Sequence, residues 1–247
     1  MRALVLAVAA LSGCAISELH DTDAAFARWD GERVLCGVGV DGESITLAQI
    51  EAGLDRAAQH GEVLILFAHH PSKTVTPARI DAILASAERT GLPFLTFPEL
   101  AGANPSAGLS FGFDDASVDD WFALREVFTA HRARVTFFVS NYGELSINQR
   151  NKLHALAADG HAIEAHGMGH RDAAAYVDRH GLSRYVRDEI DPLLAAMAAD
   201  GFVPTTFAYP YGDRTNELDR ALLGRFSLIR SLTYLDRSAV NSAPCPR

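Results

Sequence analysis

The apolar run Leu109-Ser-Phe-Gly-Phe113 ends in two adjacent carboxylates, Asp114 and Asp115. Like charges side by side repel, so the pair calls for a compensating charge, and a bound cation supplies one. Imidazoles stand at the ends of two other apolar runs: His166-Gly-Met-Gly-His170 follows Ala162-Ile-Glu-Ala165, and His69-His70 follows Val63-Leu-Ile-Leu-Phe-Ala68. Two imidazoles four residues apart can face the same way, since the glycines between them free the backbone. Two histidine nitrogens and one carboxylate make a three-ligand site with a position open for water, the pattern of catalytic zinc. One aspartate of the pair then binds the metal while its neighbour takes a proton from that water. Singly these clusters are weak signals, because an Asp pair is commonly a turn or a helix N-cap and a lone His a structural hydrogen-bonding group.

Positioning such groups requires elements that end together. Apolar, β-branched or aromatic runs occupy 34–40, 63–68, 93–97, 109–113, 135–141, 162–165, 205–209 and 226–231, and stretches of helical period lie at 47–59, 77–90, 117–132, 146–159, 184–200 and 216–224. Strand and helix alternating this many times predict parallel strands with crossover helices. Seven or eight strands in one domain favour closure into a barrel, with an open doubly wound sheet as the alternative. In both, functional side chains collect at the C-terminal strand ends, where Asp114-Asp115, His166 to His170, Pro210-Tyr211-Gly212 and His69-His70 all fall.

The chain has 247 residues, 48% of them hydrophobic, enough for one sizeable core. A formal net charge of −9 and the lack of any Lys/Arg run argue against a nucleic-acid binder. Residues 1–13 read as a signal peptide: a basic start, then an apolar run too short to span a bilayer. Leu11-Ser12-Gly13-Cys14 resembles the bacterial lipobox, which implies a lipid on Cys14 and an exported lipoprotein facing the periplasm or the cell exterior. Residues 14–32 then form a tether and 33–247 the catalytic body. Setting Cys14 aside leaves Cys36 and Cys245, one possible disulfide in an oxidising compartment.

Phe111-Gly-Phe-Asp-Asp115, Val135-Thr-Phe-Phe-Val139, Gly160-His-Ala-Ile-Glu-Ala-His166-Gly-Met-Gly-His170 and Phe207-Ala-Tyr-Pro-Tyr-Gly212, in that order, resemble the polysaccharide deacetylase family, carbohydrate esterase family 4. The resemblance implies a distorted (β/α)7 barrel. It implies Asp114 as the catalytic base, Asp115, His166 and His170 as ligands of a divalent metal, most simply Zn²⁺, and the backbone N–H of Tyr211 as an oxyanion donor. Tyr142, Tyr209 and Tyr211 are candidates for stacking on sugar rings.

Two departures stand out. Members commonly carry an Arg ahead of the Pro that orients the base, and the matching residue is Ala208; Arg230, at the end of run 226–231, is a substitute within the sequence. The family's closing segment, a strand ending in the general-acid His, then a helix and a short strand, is matched at the front of the chain by Val63 to His69, the helix 77–90 and Gly91 to Phe97. The chain thus reads as a circular permutant with His69 as the acid and adjacent His70 as the alternative. Permutation places residues 232–247 near 33–40, and with them a disulfide between Cys36 and Cys245.

The expected activity is removal of N-acetyl, or alternatively O-acetyl, groups from a polysaccharide or oligosaccharide, the chain acting as a monomer. A hydrolase of linear amides on the same scaffold and a non-catalytic, surface-anchored carbohydrate-binding relative are the competing readings, the second drawing on the missing Arg.

Overall fold

The computed structural model describes residues 18–102, 106–233 and 245. The strands are β1 (Phe26–Ala27), β2 (Val34–Gly39), β3 (Val63–Ala68), β4 (Gly108–Asp115), β5 (Thr136–Val139), β6 (Ala162–Ala165), β7 (Thr206–Ala208) and β8 (Leu228–Leu232). Seven of them are parallel and close in the order β3-β2-β8-β7-β6-β5-β4, the ring being completed by pairing of β4 with β3. This is the closed (β/α)7 barrel expected from the alternation and the resemblance. The helices are α1 (Leu47–His60), α2 (Pro77–Thr90), α3 (Val118–Ala123), α4 (Arg125–Ala130), α5 (Ile147–Ala158), α6 (Ala173–His180), α7 (Leu182–Tyr185), α8 (Asp191–Ala199) and α9 (Asn216–Leu222).

Alternation along each strand divides the core in two. Leu64, Leu66, Phe111, Phe113, Phe137, Phe207 and Ile229 face the helices and join their apolar sides in the larger cluster. Val63, Ile65, Phe138, Ala208 and Leu228 fill the barrel interior with Ala27, Phe97 and Leu100. Because Ile65 and Ser110 are register partners, the same parity turns Ser110 and Asp114 inward. Helix starts are chemically specified: Thr46 and Gln49 cap α1 reciprocally, as Ser146 and Gln149 cap α5, and Thr76 with Pro77 opens α2.

Several expected elements differ. The run 93–97 is a single bridge, Phe94 to Leu109, because the reciprocal Thr96–Glu99 cap starts a 3-10 turn, Phe97–Ala101, in its place. The helix 117–132 breaks at Leu124, and α6 lies where no helix was expected. Residues 18–32 are not a free tether. Leu19, Ala25, Phe26 and Ala27 are buried, and β1 pairs antiparallel with the start of β3, where β2 has diverged from it. Arg56 fastens the segment by donating to the His20 carbonyl, Asp23 and Glu62. Residues 1–17, including the signal-like run and Cys14, lie outside the described residues. Among the described residues no helix is long and apolar enough to cross a membrane.

The first and last barrel strands, β2 and β8, are neighbours, in register from Val34–Ile229 to Gly37–Leu232. Cys36 on β2 is bonded to Cys245, with 6.2 Å between the Cα atoms, so the expected disulfide is present.

Candidate active site

β4 delivers both carboxylates to the barrel mouth. Asp114 points inward and is 2% exposed. Strict alternation would send Asp115 to the helix side, but its backbone is left-handed, φ 84°, which ends the strand and lets the side chain meet the two imidazoles. Asp115 Oδ1 lies 3.6 Å from His166 Nε2 and 2.9 Å from His170 Nε2. Burial alone would raise the Asp115 carboxyl, but hydrogen bonding and charge from His166 and His170 outweigh it and hold it well below the usual carboxylate range.

His166 follows β6 directly and is buried; its Nδ1–H donates to the Ala208 carbonyl at 2.8 Å. That bond fixes the tautomer and leaves the Nε2 lone pair free, the orientation metal-ligating histidines use. His170, also in left-handed backbone at φ 52°, packs edge-on against both His166 and Tyr211. Donor atoms of Asp115, His166 and His170 lie within 4.8 Å of one another. A carboxylate oxygen and two imidazole nitrogens converging this closely fit a divalent cation.

Asp114 Oδ2 accepts from Arg230 Nη2 at 2.5 Å, both side chains 3% exposed. The guanidinium lies over the rings of Phe67 and Phe138, and Arg230 is the register partner of Ala208. Asp114 Oδ1 has no partner among the described residues. The partner of Asp114 thus comes from β8, beside the strand where the resemblance leads one to look.

The adjacent histidines part ways. His69 Nδ1 is hydrogen-bonded to Asp41 Oδ2, while Asp41 Oδ1 accepts from the His69 N–H and from Thr74 Oγ1. Burial works against charge on His69, yet the bond to Asp41 and the negative charges of Asp114, Asp41 and Asp115 raise its pKa above the ordinary value. His70 instead donates from Nδ1 to the Pro71 carbonyl at 2.8 Å, with Nε2 3.5 Å from Asp120. Asp41 escaped the sequence reading, although it directly follows the run 34–40 and so obeys the strand-end rule that found the others.

Tyr211, φ 61°, sits in the 3-10 turn Pro210–Gly212, whose preceding Tyr209 donates its hydroxyl to Asp219, itself paired with buried Arg214. Of the three tyrosines expected at the rim only Tyr211 is exposed. Tyr142 and Tyr209 are core side chains, because each hydroxyl finds an acidic partner, Asp200 and Asp219, that satisfies it away from the mouth. A groove lined by His170, Arg171, Tyr176, His180 and Tyr211 opens beside the site.

Residues 102–224 match the family described as Polysaccharide deacetylase. Solved structures that share the fold include the following three. They are IcaB from Ammonifex degensii (21% identity, TM-score 0.58, 68% of this chain and 83% of that one), the Streptococcus pyogenes deacetylase PplD (17%, 0.55, 67% and 80%), and a de-N-acetylase from Aggregatibacter actinomycetemcomitans (11%, 0.55, 69% and 94%). No curated protein matches the sequence. The chain belongs to the polysaccharide deacetylase family and, by that membership, is a carbohydrate deacetylase.

Proposed function

We propose that the protein hydrolyses acetyl groups, N-acetyl first and O-acetyl as the variant, on a polysaccharide or oligosaccharide. The observation that carries this reading is the convergence at one barrel mouth of three arrangements: the Asp115–His166–His170 cluster, the Asp114–Arg230 pair and the Asp41–His69 pair.

Asp115, His166 and His170 would hold the metal, most simply Zn²⁺, which when bound supplies a Lewis acid for the acetyl carbonyl and an acidified water. Asp114, oriented through Oδ2 by Arg230, keeps Oδ1 free to take the proton of the attacking water. The Tyr211 backbone N–H donates to the oxygen on which negative charge develops. His69, oriented by Asp41, gives a proton to the departing sugar amine or alkoxide, and acetate leaves. A non-catalytic, carbohydrate-binding relative drew its support from the missing Arg at Ala208; Arg230 supplies that guanidinium from the neighbouring strand.

We also read the chain as circularly permuted, since the strand that leads into His69 precedes the matched domain and pairs with β4 inside the closed ring. The lipobox-like Leu11 to Cys14 supports export and a lipid anchor on Cys14 facing the periplasm or exterior, and Cys14→Ala should release the protein from the membrane fraction. The test of the activity is acetate release from a panel of N- and O-acetylated glycans, with chelator and with zinc restored. Loss on chelation and recovery with zinc are expected; undiminished release after exhaustive chelation contradicts the metal site.

A further inference from the structure

Glu189 is 2% exposed, an uncommon depth for a carboxylate, and everything it holds belongs to the turn that carries His170. Its Oε2 accepts from the Gly169 N–H at 2.9 Å, its Oε1 from Arg171 Nε at 3.1 Å, and its backbone carbonyl from the Met168 N–H at 3.0 Å. Both neighbours of His170 are thus bound by one carboxylate. The fit is close enough that a side chain at Gly167 or Gly169 would require the carboxylate to shift. A Cβ at Gly167 would come within 3.1 Å of Oε2, and one at Gly169 within 2.9 Å of Oε1.

The placement of Glu189 has its own cause. The helix running from Leu182 to Ala199 passes through a π-turn, Val186–Ile190, immediately before Pro192. Proline has no N–H for the carbonyl four residues back, and its ring crowds that carbonyl, so the helix widens. The widened turn carries Glu189, and isolated π-turns are frequent where a side chain must be aimed.

We propose that Glu189 is a positioning residue for the metal centre, holding His170 in its left-handed conformation so that Nε2 faces Asp115 and His166. The assignment rests on the metal reading above. It makes the Gly-Met-Gly spacer a seat for a carboxylate as well as a flexible link between two ligands. Supporting groups of this kind typically change metal affinity about 10- to 100-fold when removed.

The experiment is zinc affinity of the full chain, stripped of metal and titrated against a chromophoric chelator, with circular dichroism to verify folding. Glu189→Ala should weaken zinc binding about 10- to 100-fold. Glu189→Gln keeps one acceptor but turns an amide N–H₂ toward the other donor, so it should fold and lose affinity to a smaller extent. Leu193→Ala, fully buried on the same helix, should lower the melting temperature without changing zinc affinity. Wild-type affinity in the Glu189→Gln protein, or in Glu189→Ala where that variant folds, overturns the proposal, as does equal weakening by Leu193→Ala. Zinc binding by the wild type that Glu189 variants leave unchanged removes only the positioning role, whereas a wild type that binds no zinc removes the metal reading and this role with it.

Discussion

Arg230 reaches Asp114 across 116 residues of sequence, Nη2 to Oδ2, and does so from the strand position directly beside Ala208. A guanidinium expected on one strand therefore arrives from the next, and the two placements are interchangeable in principle. Arg230→Ala should leave buried Asp114 unpaired, destabilise the fold by about 3–5 kcal/mol and lower kcat/KM by about 10² or more. Adding Ala208→Arg to that variant should recover a substantial part of both. A double variant no better than Arg230→Ala would mean that the base requires its guanidinium from β8.

Asp41→Asn keeps a carbonyl acceptor beside His69 but removes the carboxylate charge, one of those that raise its pKa. The acid must be protonated to deliver its proton, so activity should fall on the alkaline side as His69 loses that proton. With Asp41 present the fall comes at higher pH. The Asn variant should lose activity at lower pH, measured as kcat/KM against pH; an unshifted alkaline limb would separate His69 from the acid role.

The site was legible to the extent that it lies at strand ends. Asp114, Asp115 and His166 follow apolar runs directly and His170 lies four residues beyond, so periodicity, spacing and residue type located them without geometry. Arg230 could be named only as a substitute, because its match to Asp114 depends on ring closure, which brings β8 round to face β4. Glu189 had no such signal: it sits mid-helix among charged residues, and its burial follows from a π-turn that helical period does not reveal. The tyrosines failed for a related reason. Aromatic character marks both a sugar platform and a core side chain, and only the acidic partners of Tyr142 and Tyr209 decide between them.

Glu164 gives the barrel interior a pH dependence of known sign. Burial outweighs its bonds from Thr205 N–H, Thr206 N–H and Thr206 Oγ1 and pushes the carboxyl up to about 7, from an ordinary 4.5. Between those values the folded chain holds a proton that the unfolded chain has lost, so this group's contribution falls as pH rises, by up to about 3 kcal/mol. His161 runs oppositely: buried and lowered to about 4 from 6.5, it favours the fold above that window and loses stability as pH falls through it. Subtracting Glu164→Gln from wild type isolates the first effect. Urea unfolding should find the variant gaining on wild type from about pH 4.5 to pH 7, and a difference independent of pH would contradict the buried, proton-holding Glu164.

The Cys36–Cys245 bond closes a loop of 209 residues, for which loop entropy gives on the order of 5 kcal/mol as an upper figure. Cys36→Ser should therefore shift the denaturation midpoint markedly downward, and reduction of the wild type should do the same. Separate Cys36 and Cys245 peptides with free thiols in an unreduced digest would contradict the bridge.

The central claim divides two adjacent carboxylates into a proton acceptor and a metal ligand, and zinc content measured alongside acetate release on Asp114→Asn and Asp115→Asn tests it most directly. Asp114→Asn should bind zinc as the wild type does while turning over about 10²-fold or more slowly, and Asp115→Asn should lose the bound zinc together with the activity. Zinc lost from Asp114→Asn and retained by Asp115→Asn would contradict the assignment and exchange the two roles.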